Sequence, residues 1–212
     1  MSRTLLRELI EKKVSQNGLV DTGIEGVQLF KITAPIDCAP VVYEPSLTAI
    51  VSGAKEAILD GDKHIFDTSK YTLCTMPIPV EAGIPEASES APLIGVYVSL
   101  DSSIMRKLAI ELESLSLDEE SNLAVHSIAG MASAKWDDDF ADALYRLLLL
   151  TDSEADMAVL GKSRLRELYY TLLKGEAGST VRQSYNAGNA ILRAIEFLTA
   201  NAHKNITIDE IA

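Results

Sequence analysis

Histidines and cysteines are the side chains of this sequence best suited to bind a metal ion or to act as a nucleophile. The chain has three histidines and two cysteines among 212 residues. No histidine lies two or four residues from another, and none stands beside a cysteine at the spacing of a zinc site. The spacing therefore predicts no metal site and no cofactor. These residues are His64, His126, His203, Cys38 and Cys74.

Motifs for phosphate binding or covalent catalysis are also missing. Gly130 and Gly161 belong to no phosphate-binding loop or dinucleotide fingerprint. Ser52-Gly53 lacks the strand-turn-helix context of a nucleophile elbow. The run Asp137–Asp139 is typical of a helix start, where acids suit the positive end of the helix dipole. We therefore expect a protein that is not an enzyme.

Composition and charge limit the class of protein further. The chain is 47% hydrophobic and 24% charged, which is typical of a globular protein, and its net charge is −12. A chain this acidic repels phosphate and should not bind DNA by itself. The longest apolar run, Leu147–Leu150, is too short to cross a membrane. The charged N-terminus is unlike a signal peptide, and two cysteines suit a reducing compartment, so we expect a cytoplasmic protein.

Short apolar segments separated by turn residues extend from residue 27 to residue 100, which indicates antiparallel strands. Asp60-Gly61 between two of them predicts a hairpin, because glycine adopts the positive φ of a tight turn. The stretch Glu81–Pro92 has no apolar period and predicts a loop, either a solvated connection or a lid. The expected strands are Val27–Thr33, Leu47–Ser52, Lys55–Leu59, His64–Asp67, Thr72–Met76 and Leu93–Leu100.

Helical spacing of apolar residues precedes and follows these strands. A short amphipathic helix is expected at the N-terminus, and four more helices after residue 100. Strands first and helices second indicate an α+β fold. The helices are marked by Leu5, Leu6, Leu9 and Ile10; by Ile104, Leu108, Leu112 and Leu115; by Phe140, Leu144, Leu147 and Leu148; by Leu165, Leu168, Tyr169 and Leu172, stopping at Gly175; and by Ile191, Ala194, Ile195 and Leu198.

The last residues have the spacing of a new helix start. Thr207 and Glu210 stand three residues apart, as in a capping box. Since only Ile211 and Ala212 follow, we expect the sequence to be truncated at the beginning of a further domain.

Several segments, in this order and spacing, resemble the N-terminal domain of a subgroup of AraC-type bacterial transcription regulators. The resemblance covers residues 24–212. It rests on Val42–Leu47, Gly53–Lys55, Tyr71–Leu73, Met76–Val80, Tyr97–Asp101, Ala141–Leu150, Arg166–Gly175, Ile191–Leu198 and Ile206–Ala212.

The resemblance implies an antiparallel cupin-like β-barrel that senses a ligand or mediates dimerisation, followed by a helical linker. The expected organisation is an N-terminal helix and lead-in over 1–23, a barrel over 24–101, a helical linker and dimerisation region over 102–185, and the start of a helix-turn-helix domain over 186–212. DNA would then be bound only through the missing C-terminal part. The alternatives are a cupin-type small-molecule-binding protein or enzyme without a transcriptional role, and a dimerisation domain without a ligand.

Candidate ligand-binding residues are those of the barrel strands with aromatic, sulfur or imidazole side chains. The strand period places Cys74 and Met76 on one face but does not say which face points inward. The expected effector is an unidentified small molecule held inside the barrel. The candidates are His64, Phe66, Cys74, Met76 and Tyr97.

A homodimer built by the later helices is also expected. Four consecutive leucines turn through about 300° of a helix, so one face against the barrel does not cover them all. Leu147, Leu148 and Leu149 are therefore candidates for a dimer interface, with helix Leu165–Leu173 of the same chain as the alternative partner.

Overall fold

The computed structural model describes residues 3–115, 127–128 and 130–185. In these ranges eleven strands form two sheets, and five α-helices pack on one of them. Every strand pairing is antiparallel. The predicted α+β fold with an antiparallel cupin-like barrel is confirmed. The barrel is formed by two sheets that face each other, and each sheet has its own set of hydrogen-bonded strands. The helix expected around Ile191 and the helix start at Thr207 lie outside the described residues.

The larger sheet has seven strands and lies in the middle of the molecule. In spatial order its strands are β1 (Gly18–Asp21), β2 (Val27–Ile32), β9 (Leu93–Ser99), β4 (Ser46–Ser52), β7 (Lys70–Cys74), β11 (Met131–Lys135) and β10 (Ser127–Ile128). Three of these strands, β1 at one end and β11 and β10 at the other, come from segments in which no strand was predicted.

The smaller sheet has four strands and faces one side of the larger sheet. Asp60 and Gly61 both adopt positive φ at the turn between its last two strands, which confirms the predicted hairpin. Its first strand is an exposed edge strand, and Pro40 within it offers no amide to a further strand. In spatial order the strands are β3 (Ile36–Tyr43), β8 (Ile78–Ile84), β5 (Lys55–Leu59) and β6 (Asp62–Phe66).

The helices cover the other side of the larger sheet. They are α1 (Arg3–Lys13), α2 (Ser102–Ser114), α3 (Asp138–Leu149), α4 (Glu154–Lys174) and α5 (Gly178–Tyr185). Carboxylates cap two of them, as acids at a helix start should: Asp101 accepts hydrogen bonds from the amides of Ser103 and Ile104, and Asp137 accepts one from Phe140. No helix in the described ranges is long and apolar enough to cross a membrane.

Two hydrophobic cores result from this three-layer arrangement. The main core lies between the larger sheet and the helices. The second core lies between the two sheets. Strand alternation assigns neighbouring residues to different cores: in β7, Tyr71 and Leu73 face the helices, whereas Cys74 faces the smaller sheet.

Three expectations about the elements are wrong in part. The loop expected over Glu81–Pro92 begins only after Ile84, because β8 pairs its alternating small and charged residues with two neighbouring strands. The region expected to be helical over 102–185 also contains β10 and β11, and β11 completes the larger sheet beside β7. The strand expected over Thr72–Met76 ends at Cys74, so the alternation of a strand does not place Met76 on the same face as Cys74.

Candidate ligand-binding cavity

A cavity of about 240 Å³ lies between the two sheets. At about 30 Å³ for a water molecule in the liquid, that volume equals about eight waters, so a small organic molecule fits. Polar and aromatic side chains share its walls. The lining residues are Val42, Tyr43, Glu44, Ser46, Thr48, Lys55, Phe66, Thr72, Cys74, Tyr97 and Met131.

One row of polar residues crosses the larger sheet and forms the floor of the cavity. Register pairs Tyr97 with Thr48, Thr48 with Thr72, and Thr72 with Ser133 on successive strands. Gln28 extends the row on the other side of Tyr97. The hydroxyl groups of Thr72 and Ser133 are 3.3 Å apart and share a hydrogen bond. Residues in register project to the same face of a sheet, so the row faces the smaller sheet together.

Lys55 is the cationic residue of the cavity wall. It begins β5 and lies in register with Phe66 of β6, which places both side chains on the inner face. The ammonium nitrogen is 4.6 Å from the centre of the Tyr43 ring and 5.7 Å from that of Phe66. Both distances suit cation–π contacts. The cation is therefore held between two aromatic faces.

No carboxylate forms an ion pair with Lys55 in the part of the chain that the structure describes. Burial of its ammonium lowers the pKa of Lys55 to about 8, since removal from water disfavours the charged form. A lysine at this position lowers the stability of the folded chain while it stays charged and unpaired. Such a residue is a candidate for binding a group that comes from outside the chain.

The thiol in the cavity is positioned by the backbone. Sγ of Cys74 donates to the carbonyl oxygen of Met76 at 3.0 Å. Burial raises the pKa of Cys74 to about 11, so this sulfur remains a protonated thiol at neutral pH. The same cause raises the pKa of Tyr43 to about 12. Neither group is a nucleophile at neutral pH in this environment.

A second, more apolar lobe of about 380 Å³ adjoins the cavity and shares Thr48, Lys55 and Tyr97 with it. A glycine in β9 lets the ring of Phe30, one of the lobe's lining residues, lie close to the strand. A Cβ atom on Gly95 would lie 2.5 Å from the ring of Phe30 and 2.4 Å from the carbonyl oxygen of Ala49. The remaining lining residues of this lobe are Leu19, Gln28, Phe30, Ile32, Ile84 and Leu93.

The structure brings three of the five predicted ligand-binding residues together: Phe66, Cys74 and Tyr97 line the cavity. His64 shares an inner face with Phe66 but is not among the lining residues, and its buried Nε2 has no hydrogen-bond partner in the described ranges. Met76 lies beneath the turn at Gly130, where a Cβ would approach its Cγ to 2.6 Å. It is partly buried between the two cores.

Lys55 and the polar row were missed by the sequence reasoning, although signals for both were present. Lys55 shares the strand period of Ala57 and Leu59, two residues of the inter-sheet core. Each strand of the row has a polar residue between apolar neighbours, as Thr48 has in β4 and Thr72 in β7. A polar residue inside an apolar strand indicates a buried polar site when several strands share it.

The predicted dimerisation residues occupy two different environments. Leu147 and Leu148 are fully buried in the main core of the same chain. Leu149 is exposed at the end of α3. Two further exposed apolar residues, Val159 and Leu160, lie on α4. The partner within the chain thus accounts for Leu147 and Leu148.

Residues 23–180 match the family model of the AraC-type transcriptional regulator N-terminus. No curated protein sequence matches the chain.

Solved structures of ToxT from Vibrio cholerae have a similar fold. An apo ToxT variant aligns with 8% identity and a TM-score of 0.52 over 92% of this chain and 70% of that chain. ToxT bound to (E)-4-(8-methylnaphthalen-1-yl)but-3-enoic acid aligns with 12% identity and a TM-score of 0.54 over 87% and 68%. ToxT bound to an unsaturated fatty acid aligns with 8% identity and a TM-score of 0.52 over 87% and 66%. At these identities the similarity shows a shared fold.

Proposed function

The chain belongs to the AraC-type transcriptional regulators as an N-terminal regulatory part, and we propose that it senses a small organic anion bound between its two sheets. The family consists of regulators of transcription and is not an enzyme family. The observation that carries the proposal is the unpaired ammonium of Lys55 in the inter-sheet cavity.

The cavity suits a ligand with an apolar body and one anionic group. A carboxylate beside Lys55 would supply the missing counter-charge, and the hydroxyls of Thr48 and Thr72 are placed to donate hydrogen bonds to it. The adjoining lobe, with Phe30 and Leu93 in its wall, offers apolar surface to the rest of the molecule. The ligands of ToxT named above are also carboxylic acids with apolar bodies.

Calorimetric titration with octanoate tests this proposal. We expect saturable binding to the chain and a loss of about tenfold or more in affinity for Lys55→Met, since an interaction of about 1.4 kcal/mol or more is removed. Lys63→Met is the matched control, because Lys63 lies on the neighbouring strand but pairs with Glu56 on the outside. Equal affinities of wild type and Lys55→Met, or no binding of octanoate and of a panel of other organic acids, would contradict the proposal.

We also propose that two copies of the chain associate through the exposed apolar residues of α3 and α4. Val159 is 75% exposed, and Leu149 and Leu160 are exposed as well. A stable dimer would bury about 1,000 Å² or more in total. Because DNA-binding regulators often read paired half-sites, a two-fold dimer suits the family's role.

Sedimentation of the purified chain tests the dimer. We expect a dimer that Val159→Glu together with Leu149→Glu converts to a monomer. Leu148 is unsuitable for this test because a charge there would disrupt the core. Ile65→Glu is the control, since Ile65 is 58% exposed on the smaller sheet. A monomeric wild type would end this proposal, and a dimer lost equally with Ile65→Glu would place the interface elsewhere.

The remaining organisation is proposed on the family resemblance. Residues 186–212 would begin the DNA-binding domain, and the chain described here would contact DNA only through that domain. A regulator of this kind would act in the cytoplasm, where the free thiols of Cys38 and Cys74 would stay reduced. A mobility-shift assay at physiological salt tests the division of roles: these 212 residues, with a net charge of −12, should not retard duplex DNA.

A further inference from the structure

Lys55 has a second chemical capacity besides charge. Lys55 lines both the cavity and the adjoining lobe, and in the described part of the chain its ammonium nitrogen lies over the rings of Tyr43 and Phe66. No hydrogen bond or ion pair occupies its lone pair or its protons there. An amine that is enclosed with a ligand, and is not tied to an acid, is able to react with it.

We propose that Lys55 forms a reversible imine with small aldehydes or ketones that enter the inter-sheet cavity, so that carbonyl compounds are a second class of ligand for this site. The inference rests on the proposed function in one respect, since it takes the cavity as the effector site. It goes beyond that function in assigning covalent capture to a particular atom.

The reaction needs no partner besides the carbonyl compound. The neutral Nζ of Lys55 attacks the carbonyl carbon, a C–N bond forms, and the carbonyl oxygen takes up a proton to give a carbinolamine. The C–O bond then breaks, one molecule of water leaves, and the imine remains on Nζ. Addition of water reverses both steps, so the lysine is regenerated when the carbonyl compound is withdrawn.

The environment of Lys55 favours the neutral amine. With its pKa lowered to about 8, about one Lys55 in ten is neutral at pH 7, against about one in three thousand for a lysine at its ordinary pKa. The titratable groups that face it are Tyr43 from β3, Glu44 after it, Cys74 from β7 and Tyr97 from β9. Tyr43 and Cys74 remain protonated at neutral pH, so neither adds a negative charge that would hold the proton on Lys55. Glu44 is a carboxyl group in the same wall, but it is exposed and forms no ion pair with Lys55 in the described residues.

The walls of the inter-sheet cavity also favour the imine over the carbinolamine. Water is released in the second step, so a carbonyl compound that displaces water from these partly apolar walls shifts the equilibrium from carbinolamine to imine. The rings of Tyr43 and Phe66 hold an apolar carbonyl compound close to the nitrogen, and a reacting pair held in place gains a large effective concentration. The hydroxyl of Thr48, which lines both lobes, is placed to hydrogen bond with the carbonyl oxygen.

Reductive trapping tests the inference on the whole 212-residue chain. The chain is incubated at pH 7 with benzaldehyde and sodium cyanoborohydride, and the benzylated lysines are located by peptide mass spectrometry. We expect Lys55 to carry the label first, with an initial rate at least about ten times that of any other lysine, because an activated amine reacts ahead of protonated ones. The rate at Lys55 should level off above pH 8, whereas exposed lysines should react faster up to higher pH.

Two variants and one competitor complete the test. Lys55→Arg keeps the charge but forms no imine, and should remove the fast label; Lys63→Arg, on the outer face, should retain it. Octanoate in excess should slow labelling at Lys55 alone. A label spread evenly over the lysines of the wild-type chain, a measurement that needs no variant, would overturn the inference.

The two proposals fail separately. If octanoate binds through Lys55 but benzaldehyde does not label it, the imine is wrong and anion sensing stands. If Lys55 is labelled selectively while no organic acid binds, anion sensing is wrong and the imine stands.

Discussion

The two faces of the seven-stranded sheet differ more than any other two regions of the molecule. Toward the helices, register aligns Val27, Val98, Leu47, Leu73 and Ala132 on five successive strands, and all five are buried. One residue away along each strand, the row that includes Tyr97, Thr48 and Thr72 faces the smaller sheet. One row is entirely apolar, and the other carries hydroxyl groups beside a cavity.

Each strand therefore contributes residues to the stable core on one face and to the candidate binding site on the other. The helix face packs leucines, valines and alanines into the main core, which is how a protein gains stability. The opposite face contains an unpaired lysine and space for a ligand, both of which lower stability. Since each strand contributes alternately to both faces, the apolar face supports a site that would not be stable alone.

The largest expected effect contrasts Leu73→Ala with Thr72→Ala, two neighbours on β7. Leu73 is fully buried, so its truncation should lower the free energy of unfolding by about 2–5 kcal/mol. Thr72 loses one shared hydrogen bond, which should cost about 1 kcal/mol. Urea denaturation of both variants measures the difference. Equal losses of unfolding free energy in the two variants would show that both faces of the sheet contribute equally to stability.

Gly95→Ala should cost about 1–3 kcal/mol, because the new Cβ would overlap the backbone of Ala49 and the ring of Phe30. It should also reduce the apolar lobe beside Lys55. Gly161→Ala is the control, as open space surrounds its position on α4. A stability of Gly95→Ala equal to that of wild type would contradict the packing described for β9.

Tyr169→Phe tests a polar contact on the helix face. Its hydroxyl donates to the carbonyl oxygen of Ser99 at 2.6 Å and accepts from the amide of Asp101 at 3.3 Å, joining α4 to the end of β9. Loss of these bonds should lower the unfolding free energy by about 1–2 kcal/mol. Tyr170→Phe is the control, because Tyr170 is exposed on the same helix. If the two substitutions cost the same, the contact does not hold α4 in place.

Lys55→Met should have the opposite sign, because it should raise the free energy of unfolding. The pKa of Lys55 is lower in the folded chain than its ordinary value of 10.5, so the unfolded chain binds more protons between about pH 8 and pH 10.5. Stability from this group therefore rises with pH through that window, and its penalty is fully present below pH 8. The variant should be more stable than wild type at pH 7, and the difference should shrink toward pH 10.5. A less stable variant at pH 7 would refute the assignment of Lys55 as a binding residue that lowers stability.

The sequence allowed prediction of the elements with strong periods. The hairpin at Asp60-Gly61 and the buried faces of the helices around Leu108 and Leu144 depend on local patterns, and the structure has them. Strand β3 gave no such signal, because an exposed edge strand has no buried face to impose alternation. β11 was missed because its place beside β7 depends on a pairing between residues about sixty positions apart.

The candidate site was predicted only in part, for a related reason. Phe66 and Tyr97 stood out as aromatic strand residues, and both line the cavity. Lys55 was passed over since a lysine in a strand usually faces water, and only the packing of the second sheet shows that this one lies half-buried on the inner face. Which residues meet across two sheets is decided by tertiary packing rather than by local sequence.

The most direct test of the central claim is the titration of the Lys55 side chain by NMR. With ¹³C-labelled lysine, the Cε signal of Lys55 is assigned by its loss in Lys55→Arg and followed against pH, with and without saturating octanoate. We predict a pKa of about 8 in the free chain and a higher pKa in the complex, because a bound carboxylate favours the charged amine. A Lys55 that titrates near 10.5 in the free chain, or a pKa that octanoate leaves unchanged, would contradict it.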